Sequence, residues 1–188
     1  TRDAEEFYVP GNKMDELPKI HNAFLLVENG IIIDFGNMEN IPKKLQNTEV
    51  VDLSNSFVMP TWCDAHTHSV FAGNRSNEYL MRLQGLTYKQ IADGGGGILK
   101  TTQEIKNISE EDLYSISLKR IIKMIQNGSG GIEIKSGYGL TYESELKILS
   151  VIKKLKDNLP IEIKSTFLGA HAYPKELTKK EYLNLILN

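Results

Sequence analysis

The feature that most constrains this chain is the order of segments in its second part. "SEEDLYSISLKRIIKMIQNG" opens on a Ser109/Asp112 pair resembling a capping box, with Asp in place of the usual Glu or Gln. Leu118, Ile121, Ile122 and Ile125 recur at helical spacing, and Gly128 stops the pattern, so a helix is predicted. "GIEIKSGYG" reads as a short strand. "TYESELKILSVIKKLKDNLP" places Ile148, Val151, Ile152 and Leu155 on one helical face and ends before Pro160. "IEIKSTFLGAHA" is a further strand, and Thr178 with Glu181 caps a last helix. With "FVMPTWCDA" as the first strand, strands fall near residues 57–65, 131–136 and 161–168. Strand and helix alternate, and the crossovers are long enough for parallel pairing. An α/β fold follows.

Each strand runs into polar residues: His66 and His68, then Ser136 and Tyr138, then His171. Ligands of parallel α/β folds sit at the carboxyl ends of strands, and in a (β/α)8 barrel all the ends meet at one mouth. Three segments distant in sequence therefore aim their chemistry at one place. A complete barrel takes about 250 residues, and the part after Pro60 has room for about half of one. An open sheet and a half-barrel both remain open.

The first sixty residues follow another pattern. In "IHNAFLLVENGIIIDFG", two β-rich runs flank Asn29-Gly30, which supplies the positive φ angles of a two-residue hairpin turn. "EVVDL" and "SFVMP" follow with a turn between them, so this part is expected to be small antiparallel β structure. The chain begins with Thr1, and "TKKEYLNLILN" stops after about three helical turns, as expected of a piece of a longer chain.

Composition narrows the partners. Of 188 residues, 40% are hydrophobic and 24% charged, the balance of a globular protein. A net charge of -2 without a basic run argues against nucleic acid or an anionic membrane as partner. No apolar run approaches the ~18 residues of a membrane span, and "TRDAEEF" is not a signal peptide. Cys63 is the single cysteine, so no internal disulfide forms, and the cytoplasm is the expected compartment.

The chemistry centres on "PTWCDAHTHSVFAGNR". Alternate residues of a strand share a face, so His66 and His68 can present two imidazoles to one cation. The plainer alternative is two hydrogen-bonded polar residues at a strand end, and zinc usually takes three or four protein ligands. His171 is open between a third ligand, a substrate contact and a core histidine. Tyr138, between Gly137 and Gly139, is open between packing and ligand contact. Arg75 follows the histidines in a loop, either solvated or forked onto a carboxylate. "GGGGILKT" is not a phosphate loop, because Leu99 stands where that pattern requires glycine before Lys100; a mobile loop beside the mouth is expected. Cys63, with no base partner, is expected to be a buried structural thiol.

Taken together, "VMPTWCDAHTHSVFAGNRSNEYLMRLQGLTYKQIADGGGGI", "EIKSGYGLTYESELKIL" and "STFLGAHAYPKE" resemble the imidazolonepropionase family of the amidohydrolase superfamily, which acts in histidine degradation. The resemblance covers nearly the whole chain in order. It implies residues 1–58 as part of a small β-sandwich and residues 59–188 as the first half of a metal-dependent-hydrolase (β/α)8 barrel of TIM type. It also implies hydrolysis of the cyclic amide of 4-imidazolone-5-propanoate to N-formimino-L-glutamate with one Zn²⁺ or Fe ion. By the same resemblance His66 and His68 match metal ligands, Arg75 the residue holding the substrate carboxylate, and Tyr138 and His171 contacts to the ring or product. The remaining metal ligands and the glutamate that handles the water proton belong to later strands, so no catalytic residue is assigned within these residues. The chain alone is expected to be inactive, and a homodimer is compatible with the family. The alternatives are another cyclic amidase or deaminase of the superfamily, and a non-catalytic half-barrel.

Overall fold

A computed structural model describes residues 11–13, 15, 18–43, 45, 47–174 and 176–187. The chain divides into two compact units, Thr1–Phe57 and Val58–Asn188.

In the first unit, strands β1 (Ala23–Glu28) and β2 (Ile31–Asn37) pair antiparallel, with Ala23 opposite Asn37 and Glu28 opposite Ile31. Asn29 and Gly30 have φ of 49° and 77°, the left-handed pair expected of a primed turn. The hairpin forms as read. "EVVDL" and "SFVMP" do not become strands. Their turn exists: Asp52 Oδ1 accepts from the Ser54 amide and hydroxyl, and the Ser56 amide donates to Leu53 O. The flanking residues pair with no described strand, and Val50 and Phe57 are 83% and 82% exposed. β-Branched and aromatic composition favours a strand only against a partner surface, and none is present among the described residues.

The second unit is built on a parallel sheet of β3 (Trp62–Thr67), β4 (Ser129–Lys135) and β5 (Glu162–Thr166), in that order. The sheet follows the expected α/β alternation. β3 starts later than residue 57 because its ladder begins only where Trp62 meets Ser129. Helices α1 (Ser76–Leu83), α2 (Tyr88–Asp93), α3 (Ile98–Asn107) and α4 (Glu110–Gln126) connect β3 to β4. Helix α5 (Tyr142–Asn158) connects β4 to β5, and α6 (Lys179–Leu187) follows.

Side chains alternate across a strand, and β4 shows the result. Ile132 and Ile134 are buried in the core with Ile163 of β5, whereas Glu133 and Lys135, of opposite parity, pair with each other outside it. The core joins them to Leu113 and Ile121 of α4 and to Ile148, Val151, Ile152 and Leu155 of α5. The buried face of α5 is the one its sequence spells out. On α4 Leu113, Ser117 and Ile121 are buried and Leu118 and Ile125 pack against the core, whereas Ile122, on the same predicted stripe, is 39% exposed.

Caps set the helix ends. The Ser109 hydroxyl accepts from the Asp112 amide and donates to its carboxylate, and Thr141 accepts from the Ser144 amide. Thr178 and Glu181 make the full reciprocal box. The glycine run, expected as a loop, connects two helices through backbone hydrogen bonds. Gly94 closes α2, Gly97 (φ 76°) opens α3, and the Gly97 amide donates to Glu78 Oε1 at 2.9 Å. It is a hydrogen-bonded joint between two helices.

Candidate active site

The three strand ends bring their polar residues together. The His68 ring lies 4.6 Å from the Tyr138 ring at a 16° angle, and 5.0 Å from the His171 ring. Tyr138 and His171 are 5.7 Å apart, and His66 stands 5.9 Å from His68. The Arg75 guanidinium carbon is 5.9 Å from the Tyr138 ring centre. His68, Arg75 and Tyr138 line a cavity of about 250 Å³, together with Phe71, Asn74 and Thr101. His171 borders the cluster through His68 and Tyr138, and His66 is exposed beside it.

Each strand-end loop is held from behind. After β3, Arg120 of α4 donates to Ser69 O and Phe71 O at 3.2 and 2.6 Å, with its guanidinium 3.6 Å over the Phe71 ring. That fixes the backbone on which Phe71 reaches the cavity. After β4, the Ser136 amide donates to Thr166 O, and the Ser136 hydroxyl accepts from the Leu168 amide, both at 3.0 Å. These bonds tie the second strand end to the third. After β5, the buried Tyr182 hydroxyl of α6 donates to Gly169 O at 2.7 Å, two residues before His171. Burial, with the Glu145 charge nearby, pushes the Tyr182 phenol up to about 12.

The electrostatics favour a neutral imidazole. Burial, then the charges of His171 and His66, press His68 down to about 4. Its Nδ1 is buried with no hydrogen-bond partner. Glu133 accepts from Lys135 and, at 2.5 Å, from the Thr166 hydroxyl, which hold its carboxyl below the usual range. Its second oxygen is buried and unpartnered.

The donor set fits part of a metal site. A neutral His68 with an unshared buried nitrogen and an exposed His66 on the same strand end are suitable imidazole ligands. Among the described residues, however, no group of three or more His, Cys, Asp and Glu is placed to hold an ion. Asp64 Oδ1 accepts from the His66 amide at 3.3 Å and so serves its own strand.

Cys63 is exposed, not buried as expected: the core is built on β4 and β5 with α4 and α5, and it includes no residue of β3. Sequence reading did not single out Phe71, Asn74, Thr101, Arg120 or Tyr182. Asn74 lies within the quoted "GNR" run, so its nearness to Arg75 was a signal. Arg120 and Tyr182 sit inside helical patterns and carried none.

No protein-family model matches the chain. Among curated proteins, it is 49% identical to the imidazolonepropionase of Flavobacterium psychrophilum over 189 residues, covering 100% of the chain and 46% of that protein. The imidazolonepropionase of Christiangramia forsetii gives the same figures, and that of Clostridium tetani is 42% identical over 94% of the chain and 43% of its own length. The chain spans about half the length of the curated relatives it matches. Along its whole length the chain is a sequence relative of the imidazolonepropionases.

Proposed function

We propose that the protein carrying this chain is an imidazolonepropionase: it hydrolyses the ring amide of 4-imidazolone-5-propanoate to N-formimino-L-glutamate. The observation that carries this is the gathering of His68, Arg75 and Tyr138 around one small cavity, with His171 against it, in a chain about half identical to proteins of that name. In this reading β3, β4 and β5 are early strands of a (β/α)8 barrel, and the β1–β2 hairpin is part of a small β-sandwich. The enzyme acts in the cytoplasm on a small molecule. No described helix is long and apolar enough to cross a membrane.

The roles follow from the donors. Arg75 offers a planar fork of N–H groups that matches the propanoate carboxylate, so its contribution is orientation. Tyr138, stacked on His68, and His171 hydrogen-bond the ring and the oxygen on which charge develops. His66 and His68 would hold one Zn²⁺ or Fe ion together with ligands outside the described residues. When bound, such an ion supplies Lewis acidity and a water whose pKa is brought toward neutrality.

The test is imidazolonepropionate turnover by the full-length protein carrying this sequence, profiled against other cyclic amides and amino-substituted rings. Preferential hydrolysis of imidazolonepropionate supports the reading, and a preference for an amino-substituted ring would replace it with a deaminase. The second reading, a non-catalytic half-barrel, draws on the lack of a three-donor cluster among the described residues. It concerns these 188 residues alone and predicts no turnover from them.

A further inference from the structure

We infer that Glu145 is a positioning residue: its carboxylate fixes the loop that holds Tyr138 in stacking contact with His68. This rests on the reading of the cavity as the substrate site. Glu145 lies in the first turn of α5, is only 6% exposed and does not line the cavity. Its Oε1 accepts from the Gly139 amide at 2.6 Å and the Leu140 amide at 3.3 Å, and its Oε2 accepts from the Gly137 amide at 3.0 Å. One side chain therefore satisfies backbone donors on both sides of Tyr138.

The loop needs such an anchor. Gly137 has φ 108°, and Leu140, fully buried, has φ 55°. Positive φ is uncommon for a leucine and persists where the surroundings over-determine it. Donors converging on one point form an anion-binding concavity, and the Glu145 carboxylate fills it from within the chain. The loop is also closely packed on both sides of Tyr138. A Cβ on Gly139 would lie 2.5 Å from the Glu145 backbone nitrogen, and one on Gly137 would lie 2.5 Å from Leu168 O and 2.8 Å from His171 Cβ. Tyr138 stands between these two close approaches, its ring 4.6 Å from that of His68.

Glu145→Gln keeps the shape but replaces one acceptor oxygen with an amide donor. Gly139 and Leu140 share one oxygen, so either orientation of the amide sets a donor against a backbone N–H. Two measurements on the full-length protein test the inference. In the first, NMR follows the His68 ring protons, which the stacked Tyr138 ring shifts upfield. Glu145→Gln should move them most of the way to the positions seen in Tyr138→Ala; unmoved protons would overturn the inference whether or not the protein hydrolyses imidazolonepropionate. In the second, Glu145→Gln should lower kcat/KM about tenfold alone and less than about twofold in a Tyr138→Ala background, the coupling expected of residues acting as a unit. An equal loss in both backgrounds would make Glu145 merely structural and overturn the role. If Tyr138→Ala leaves kcat/KM unchanged, the substrate site is wrong while the NMR result on Glu145 stands. Should Glu145→Gln not fold, Glu145→Asp keeps the charge on a shorter arm and should give intermediate ring shifts; wild-type shifts in that variant would overturn the inference.

Discussion

At the scale of single residues, the site joins side chains whose nearest neighbours in sequence say little about them. Arg75 occupies the N-cap position of α1, where a guanidinium, having no acceptor, cannot cap the helix, and it lines the cavity. In the full-length protein, Arg75→Ala should weaken imidazolonepropionate binding by about 2–4 kcal/mol, because a charge-assisted pair is lost and the carboxylate is left unpaired. Arg75→Lys should recover only part, since an ammonium lacks the planar fork. Steady-state kinetics check both, and an unchanged KM in Arg75→Ala would place the tail elsewhere. His66, His68, Arg75, Tyr138 and His171 were all legible as candidates, because polar residues at strand ends of an α/β chain converge for topological reasons. The residues behind them were not. Arg120 and Tyr182 act through backbone carbonyls far away in sequence, a relation that no spacing rule encodes.

At the scale of elements, packing can be tested where sequence and structure agree and where they part. Leu155 is completely buried in the core, so Leu155→Ala should cost about 2–5 kcal/mol in urea unfolding. Ile122→Ala, on the part of α4 that turned out exposed, should cost less than about 1 kcal/mol. α5 was readable because its apolar stripe is continuous. α4 was readable at Leu118, Ile121 and Ile125, which pack on the core, but not at Ile122, because the centre of its inner face carries a buried serine, Ser117. Helices α1 to α3 are short and lie among glycines, and their clearest sequence signal is the Thr87–Gln90 capping box that opens α2. "EVVDL" and "SFVMP" show the reverse error, β propensity without a partner. Helix α6 carries a pH signature. The Tyr182 phenol is raised from 10 to about 12 by burial, so between these values the unfolded chain loses a proton that the folded chain keeps. Stability is therefore intact below pH 10 and falls as pH rises toward 12, by at most about 1.4 kcal/mol per pH unit. Tyr182→Phe should remove that part of the alkaline decline and cost about 1 kcal/mol at neutral pH for the lost bond to Gly169. Identical alkaline slopes in the two proteins would show that another group is responsible.

At the scale of the whole molecule, the chain holds two compact units and about half the length of its relatives. Two imidazoles are fewer than the three or four ligands zinc usually takes. The 188 residues alone should thus lose zinc on dialysis against a weak chelator, and imidazolonepropionate turnover by them should be undetectable. Atomic absorption after dialysis checks the first. A stoichiometric ion would mean that Asp64, His171 or a second copy completes the ligand set. The long excursion between β3 and β4 has a further consequence, in time. Roughly sixty residues separate the end of β3 from the start of its neighbour. At about 5–20 residues per second, a ribosome needs about 3–12 s to supply them. Throughout that interval a nascent chain carries β3 without β4, the strand it pairs with, so the His66–His68 end is made seconds before Tyr138, the ring that stacks on His68, exists.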